Sequence, residues 1–382
     1  MNQLFTSTRY KTLFHTLIFC AWNLGLCLSA TAGQPTIVTF DPPGSVYTAA
    51  LQINSSGSIA GYYQDAGGVY HAFLRHPNGR ITSYDVPGAG KGPFQGTSFD
   101  SINPSGTVVG QYIDSHNVFH VYLLTPQGAV TKFDAPNAGT GAGQSTLGWN
   151  INLGGEIAGQ YADASNVFHG YVRSADGMVT EYDAPGAGTG PGQGTGTCLS
   201  GCLNPAATVA GTYVDPTNAF HSFIRDKHGN ITEFDPPGAS SSEPSGIDPD
   251  GDVVGFYIDS NGVNHGFLRD KHGRVTDINV PGAGAGSGQG TVAAAIAENG
   301  AVAGYYADTS GVYHGFARAP NGRITTFDVP GAGKGAGQGT FSVTNTPEGA
   351  VAGVYVDGNN VQHGFLWTPC DDDSDSVAGP TL

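Results

Sequence analysis

The stretch GYYADTSGVYHGF at residues 304–316 decides the fold, because its pattern recurs along the whole chain. Written as G-x-Y-x-D-x-x-[G/N]-x-x-H-x-[F/Y], the pattern occurs seven times, with tyrosine-to-tyrosine spacings of 49, 49, 52, 44, 49 and 49 residues. Gly or Asn at the eighth position suits a three-residue hairpin loop, which needs one left-handed residue. Each copy therefore predicts two short antiparallel strands joined by a tight turn.

The Tyr, Asp and His of each copy fall on one face of the predicted sheet, because side chains alternate along a strand. In the quoted copy the expected register pairs Tyr306 with His314. Because the seven copies are near-identical, a structural role is favoured over a catalytic role: the residues would form a hydrogen-bonded network that stabilises each repeat, whereas a catalytic site usually needs one asymmetric set of residues. The predicted network comprises Tyr63, Asp65, His71, Tyr112, Asp114, His120, Tyr161, Asp163, His169, Tyr213, Asp215, His221, Tyr257, Asp259, His265, Tyr306, Asp308, His314, Tyr355, Asp357 and His363.

Each repeat has the pattern of four short strands and no helical periodicity. Periods of 40–50 residues are typical of propellers and solenoids. The sequence predicts an all-β seven-bladed β-propeller with four antiparallel strands per blade, in which an N-terminal strand at 37–44 completes the last blade. The predicted repeats lie near 45–80, 81–129, 130–178, 179–230, 231–274, 275–323 and 324–369.

The first residues have the pattern of a secretory signal peptide, predicted at 1–32. Arg9 and Lys11 precede a largely apolar run at 13–30, and Ala-Thr-Ala at 30–32 fits a cleavage site. An uncleaved membrane anchor is the alternative, although the run is short for a span. We therefore expect a secreted protein, extracellular or periplasmic, with no membrane span after signal removal. The propeller would fill 33–369, and 370–382 would be an acidic disordered tail.

Composition excludes two classes of partner. The chain has 382 residues, 60 of them Gly, and a formal net charge of -16. Nucleic acids and anionic membrane surfaces both need a basic face, so neither is an expected partner. A closed propeller has no free strand edge, so we expect a monomer.

The cysteines predict one disulfide. Cys198 and Cys202 can close a small loop in an oxidising compartment, whereas Cys370 has no predicted partner. A zinc site needs more ligands than one CxxxC pair supplies. The acidic stretch at 248–252 departs from the spacing of a calcium loop and is better explained as an ordinary turn. We predict no metal and no cofactor.

The hairpin pattern resembles the extracellular HAF-repeat family of bacteria. The resemblance is carried by HAF at 71–73 and HGF at 314–316, and it covers residues 37–369. Val121 and Ser222 depart from the family's small Gly or Ala. The family is defined by its repeat and by secretion, so the resemblance implies fold and location but no catalytic residues.

The connections between repeats supply the candidate ligand contacts. Five of the seven are glycine-rich, as at 88–97 and 331–340, but each precedes a strand, whereas a phosphate loop precedes a helix. We predict that they are inter-blade connections with a repeated glutamine available to a ligand. The candidate ligand-binding residues are Gln95, Gln144, Gln193, Gln289 and Gln338, together with the symmetry-breaking His116 and Trp149.

The sequence favours a secreted, non-catalytic binding or scaffold protein that presents repeated loops to carbohydrate or protein partners. The alternative is an extracellular propeller enzyme, a polysaccharide lyase or hydrolase, with one asymmetric site on the long-loop face. Such a site would lie where the first and fifth repeats have shortened connections. A surface protein without a small ligand is the third possibility.

Overall fold

The computed structural model describes residues 35–198 and 201–369, and these residues contain strands and turns but no helix. The predicted signal segment at 1–32, the tail at 370–382 and Cys370 lie outside the described residues. The strands are β1 (Thr36–Phe40), β2 (Ser45–Ile53), β3 (Ile59–Asp65), β4 (Tyr70–Arg75), β5 (Ile81–Tyr84), β6 (Gly96–Ile102), β7 (Val108–Ile113), β8 (Phe119–Leu124), β9 (Val130–Phe133), β10 (Thr146–Ile151), β11 (Ile157–Ala162), β12 (Phe168–Arg173), β13 (Val179–Tyr182), β14 (Gly194–Thr195), β15 (Val209–Val214), β16 (Phe220–Arg225), β17 (Ile231–Phe234), β18 (Ser241–Ile247), β19 (Val253–Ile258), β20 (Asn264–Arg269), β21 (Val275–Ile278), β22 (Gly290–Ile296), β23 (Val302–Ala307), β24 (Tyr313–Arg318), β25 (Ile324–Phe327), β26 (Gly339–Asn345), β27 (Val351–Val356) and β28 (Gln362–Thr368).

The strands pair in antiparallel units of four. The first unit is β2 to β5, the second β6 to β9, the third β10 to β13, the fourth β14 to β17, the fifth β18 to β21 and the sixth β22 to β25. The last unit contains β26, β27 and β28, and β1 pairs antiparallel with β28. The N-terminal strand thus supplies the fourth strand of the last unit.

Each unit ends one strand later than its predicted repeat. The strand β5 pairs with β4, and β25 pairs with β24, although the predicted repeats ended at 80 and 323. A tight turn explains this pairing: Gly79 N donates to the carbonyl of His76 and folds the chain back at once. The fourth strand therefore belongs to the unit that precedes it.

The seven hairpins have the loop geometry expected from the sequence. Their Gly or Asn residue has φ between +61° and +80° at every copy. The hairpin aspartate caps the loop from within: in the sixth unit, Oδ1 of Asp308 accepts hydrogen bonds from the backbone N–H of Ser310 at 2.8 Å and of Val312 at 3.0 Å. The left-handed residue and the aspartate together fix the register that places Tyr306 opposite His314.

Aromatic packing joins most units to the next, whereas the fifth unit has Ile278 at the position of the fourth-strand ring. In the pairs Phe234–Phe267 and Phe327–Phe365, a fourth-strand ring packs edge-on against a fully buried third-strand ring of the following unit, with centroids 6.2 and 6.0 Å apart. Such contacts stabilise beyond the apolar area they bury. The core therefore lies between units, and no unit completes its own core alone.

A chain of asparagines links five units at the turn after the first strand. The side-chain amide of each asparagine donates to the backbone carbonyl of its equivalent in the next unit, at 3.1–3.2 Å, and its Oδ1 caps its own turn. The fifth position is Asp248, whose carboxylate caps its turn but has no amide to donate onward. The participants are Asn54, Asn103, Asn152, Asn204 and Asp248.

Candidate functional site

The Tyr/Asp/His network differs in detail from its prediction. Each tyrosine ring stacks on the histidine ring with centroids 4.8–5.0 Å apart. In the sixth unit, His314 Nδ1 lies 2.8 Å from a carboxylate at the end of the fourth strand, Asp328, whereas its Nε2 lies 3.6 Å from the hairpin carboxylate of Asp308. The equivalents of this second partner are Asp41, Asp85, Asp134, Asp183, Asp235 and Asn279.

The histidines and aspartates of the network interact with one another inside each four-stranded unit. Hydrogen bonds from the backbone lower the pKa of the hairpin carboxyl in Asp65, and the same cause dominates in Asp308. Burial lowers the pKa of His221, but its hydrogen bonds and ion pairs with Asp235 and Asp215 outweigh burial and raise it overall. These groups hold each hairpin to its fourth strand. Among the described residues, no group of three or more His, Cys, Asp or Glu side chains is placed to hold a metal ion.

The five candidate glutamines fasten each long loop to the hairpin tip of the next unit. Gln338 Oε1 accepts from the backbone N–H of Gly335, and its Nε2 donates to Oδ1 of Asn360, both at 2.9 Å. Gln95, Gln144, Gln193 and Gln289 likewise accept from a loop glycine. Gln95 and Gln193 also donate to a hairpin asparagine, whereas Gln144 and Gln289 donate to a backbone carbonyl of the hairpin. Both ends of each amide already have partners in the protein, so any ligand contact by these residues stays a prediction.

Two other predicted positions behave differently. The His116 side chain is 84% exposed at its hairpin tip and lies 3.4 Å from Asp114. Trp149 lies on the first strand of the third unit and lines a cavity, where its indole N–H has no hydrogen-bond partner within 35–198 and 201–369.

The structure joins Cys198 to Cys202 by a disulfide bond, and the side chain of Asn150 forms hydrogen bonds with backbone groups of both.

A cavity of about 930 Å³, here called the inner cavity, is bounded by the first strands of all seven units. Six of those strands contain a β-bulge at an equivalent position, which leaves one residue unpaired, and β2 has a second bulge at Val46. A bulge redirects a side chain out of the ladder pattern, and the six residues at the equivalent position line the cavity. They are Leu51, Asp100, Trp149, Ser245, Ala294 and Val343, and Cys198 lines the cavity from the fourth unit.

The lining combines aromatic rings with polar groups. Phe94 in particular adopts φ +62°, where the four other long loops place glycine at +77° to +83°, and it is 67% exposed. A bulky residue in this conformation is strained. The lining aromatic residues are Tyr62, Tyr70, Phe94, Phe119, Trp149, Phe168, Phe220, Phe256 and Tyr305.

Two acidic residues, Asp100 and Glu243, line the inner cavity. Asp100 is 3% exposed, and the Ser98 hydroxyl lies 3.1 and 3.2 Å from its two oxygens. Burial raises the pKa of Asp100 to about 7, an effect that the Ser98 hydrogen bond only partly offsets. Burial also raises the pKa of Glu243 on the fifth unit's first strand. The lining is therefore asymmetric, although the frame around it repeats.

Among these lining residues, sequence reasoning singled out Trp149 but not Phe94, Asp100 or Glu243. Phe94 breaks a pattern that is visible in the sequence, since PFQ at 93–95 stands where the loop at 331–340 has AGQ. Asp100 falls two residues before the recurrent Ile-Asn, at the most variable place in the first strand. Variation inside an otherwise constant repeat was the available signal. The predicted groove at the shortened connections is replaced by a cavity that all units line.

No protein-family model matches the chain, and no curated protein matches it in sequence. Solved structures do match. The BP39L lectin from Burkholderia pseudomallei has 12% identity and a TM-score of 0.54, over 86% of this chain and 98% of that chain. A puromycin hydrolase has 13% identity and a TM-score of 0.52, over 83% of this chain but only 52% of the hydrolase.

A fungal lectin from Aleuria aurantia, described as a six-bladed β-propeller, has 11% identity and a TM-score of 0.43, over 75% of this chain and 96% of that chain. At such identities the likeness concerns the fold alone. In the part of the chain that the structure describes, no helix has the length and apolar character needed to cross a bilayer. Repeated antiparallel four-stranded units, together with the likeness to the BP39L lectin and to the puromycin hydrolase, define the chain as an all-β protein with a β-propeller fold.

Proposed function

We propose that the four-stranded units close into a seven-bladed ring. Support comes from the junction between the last and first units, where Arg75 lies 5.0 Å over the ring of Phe40 and Phe40 packs edge-on against Phe73. The fourth and fifth units show the same arrangement, with Arg269 over Phe234. Further hydrogen bonds across the junction join Ile53 to Thr344 and Gln362 to Thr48. A closed ring leaves no free edge and supports the prediction of a monomer.

We propose that the protein is a non-catalytic carbohydrate-binding propeller whose ligand occupies the inner cavity. The observation that carries this proposal is a large cavity lined by nine aromatic residues together with residues that have hydroxyl, amide and carboxyl groups. Sugars present both apolar faces and hydroxyl groups, and concave sites with aromatic walls and few polar groups suit them. The likeness to a lectin fold agrees with this function.

The inner cavity replaces the long loops as the proposed ligand site. The loop glutamines bond the neighbouring hairpin, so a ligand there would compete with contacts that hold the loops. The inner cavity is instead lined by Trp149 and Thr197, whose indole N–H and hydroxyl are buried and have no hydrogen-bond partner among the residues described. One ligand per chain follows from this location, rather than several equivalent weak sites.

Secretion remains part of the proposal. The signal-like segment at 1–32 and the resemblance to the HAF-repeat family support it. The bond between Cys198 and Cys202 agrees with an oxidising compartment. Expression of the full chain with N-terminal sequencing of the exported product would test it: a product beginning at Gly33 supports secretion, whereas retention of Met1 in the cytosol contradicts it.

A glycan array, followed by calorimetry on the mature chain at 33–382, tests the carbohydrate proposal. We expect binding with a stoichiometry near one and recovery of unchanged sugar. Replacing the cavity residue Trp149→Ala should weaken binding, while His116→Ala on an exposed hairpin tip should not. A stoichiometry well above one would instead favour ligand binding at the repeated loops.

A hydrolase is the second candidate, because one observation favours it. Asp100 and Glu243 both line the inner cavity, and burial raises the pKa of each. Glycoside hydrolysis uses two carboxyl groups, one kept protonated by a raised pKa as the general acid and one ionised as the base or nucleophile. New reducing ends from a polysaccharide, lost in Asp100→Asn and in Glu243→Gln, would make the enzyme the better description.

A further inference from the structure

The inner cavity carries charge of one sign only. Its lining, as far as the described residues form it, contains two carboxyl groups, Asp100 and Glu243, and no Lys, Arg or His. A buried carboxylate without a cationic partner is costly, and nothing in this lining supplies that partner. The cavity therefore offers a negative site to any ligand small enough to enter.

Aromatic rings line the inner cavity together with the first of these acidic residues. Tyr62 and Asp100 both belong to the lining, and burial, then Tyr47 and Asp100, raise the pKa of Tyr62. Tyr62 contacts Tyr70 edge-on with centroids 5.4 Å apart, and Tyr70 lies 6.4 Å from Phe94. Phe94 extends this group of rings toward solvent despite its strained backbone.

A second group of rings accompanies Glu243. Tyr305 lines the cavity together with Glu243, and burial, then Tyr313 and Glu243, raise the pKa of Tyr305 to about 12, so its hydroxyl stays neutral. Behind Tyr305, outside the lining, Phe341 lies 5.3 Å from Tyr305 and 4.3 Å from Tyr313, between ring centroids. The lining thus includes an acidic residue and aromatic rings from two sets of units that are not neighbours.

An ammonium group interacts favourably with both parts of this combination. It forms charge-assisted hydrogen bonds with carboxylates, and it is attracted to the faces of aromatic rings. A neutral sugar would use the rings but would leave both carboxylates without a counter-charge. We propose that the inner cavity selects organic cations, meaning ligands with one or more protonated amine or quaternary ammonium groups. This inference rests on the proposed function only in placing the ligand in that cavity.

Calorimetry with matched ligands tests the charge directly. The ligands are a tetramer of glucosamine, the neutral tetramer of N-acetylglucosamine, and the sugar-free cations spermidine and choline. At about 0.15 M salt, where the screening length is about 8 Å, we expect the glucosamine tetramer to bind at least about tenfold more tightly than the acetylated tetramer. The mature chain at 33–382 is used throughout.

Matched variants distinguish the effect of the cavity carboxyl groups on affinity from the effect of the chain's net charge. Asp100→Asn and Glu243→Gln each remove one cavity charge and should weaken cation binding about tenfold. Glu298→Gln removes one charge from an exposed turn outside the lining and should change affinity less than about twofold. Equal losses in all three variants would mean non-specific attraction and would overturn the proposal.

The affinity for choline should also depend on pH. Because choline keeps its charge at every pH, any change in its affinity reports the titration of the protein. Burial raises the pKa of Asp100 to about 7, so its carboxylate forms as the pH rises from 6 to 8 and binding should strengthen. Tyr62 and Tyr122 interact with Asp100, but burial raises the pKa of both and they remain neutral. Glu243 lines the same cavity and remains as the second charge in Asp100→Asn, which should lack most of this rise.

The outcomes separate the two proposals. Equal binding of both tetramers overturns the cation inference and keeps the carbohydrate proposal. Binding of spermidine and choline without any sugar keeps the inference and overturns the carbohydrate proposal. Failure of every amine to bind at millimolar concentration overturns the inference, whatever the neutral sugars do.

Discussion

At the scale of single residues, Phe94 has a backbone conformation that destabilises the fold and a ring that is available to a ligand. It holds a left-handed backbone that glycine holds in four equivalent loops, and it exposes a large ring at the inner cavity. Strain at a surface residue is maintained when the residue serves a ligand more than the fold. The two contributions can be separated by one substitution.

Phe94→Gly should stabilise the fold and weaken ligand binding. Relief of backbone strain, about 1–3 kcal/mol, should exceed the entropy that glycine adds to the unfolded chain, about 0.4–1 kcal/mol. We expect a net gain of about 1 kcal/mol in urea denaturation together with a lower affinity in calorimetry. Gly337→Phe is the reverse substitution in an equivalent loop, and it should destabilise the protein without changing affinity. Lower stability in Phe94→Gly would contradict the strain argument.

Asp100→Asn should change how stability depends on pH. The pKa of the carboxyl group rises from its ordinary value of 3.8 in the unfolded chain to about 7 in the folded protein, so folding favours the protonated form. Its contribution is therefore most favourable below pH 4 and is lost as the pH rises toward 7. The variant should exceed the parent by on the order of 3 kcal/mol at pH 8 and match it near pH 4. An advantage that is equal at both pH values would show that charge is not its cause.

Asp248→Asn should extend the chain of asparagine links. The buried carboxyl group of Asp248 cannot donate a hydrogen bond, and burial followed by Asp252 and Asp250 raises its pKa despite opposing backbone hydrogen bonds. Asparagine keeps the turn cap and adds a donor toward the sixth unit, so we expect a gain of about 1 kcal/mol at pH 8. Asp250→Asn at the exposed position of the same turn is the control, and thermal unfolding of both variants is the measurement.

At the scale of the element, the long loop depends on its glutamine. Gln338→Glu keeps the acceptor for Gly335 but removes the donor to Asn360. We expect a loss of about 1 kcal/mol with unchanged ligand affinity. Gln127→Glu makes the same change at an exposed turn without such bonds and should be neutral. A lower affinity in Gln338→Glu, without loss of stability, would instead assign the glutamine to a ligand site.

Sequence reasoning succeeded where the chemistry is local and repeated. The left-handed Gly or Asn and the pairing of Tyr306 with His314 follow from a three-residue loop and a period of two. The partner Asp328 lies fourteen residues beyond its histidine on another strand, so the hairpin alone could not reveal it. The bulge that directs Asp100 inward shifts the strand period at one residue, and period-two reasoning cannot locate such a shift.

At the scale of the whole molecule, β1 determines whether the last unit is complete. Asp41, directly after β1, lies 2.7 Å from His363, and Phe40 of β1 contacts the first unit. A chain that begins at residue 42 should lose at least about 4 kcal/mol, because β28 and the first unit both lose a packed neighbour. A chain that begins at residue 35 is the control. Denaturation with and without a peptide of residues 33–44 measures the effect, and an unchanged unfolding midpoint in the shorter chain would contradict ring closure.

Because of the β-bulges, the residues that face a ligand are different from the residues that determine the fold. Each bulge residue points away from the ladder, so it takes no part in the hairpin, the asparagine links or the aromatic contacts between units. Substitution at Leu51, Ala294 or Val343 would alter what the interior recognises while leaving every repeat-defining residue in place. A lineage, or a designer, could change the ligand one unit at a time without passing through an unfolded intermediate.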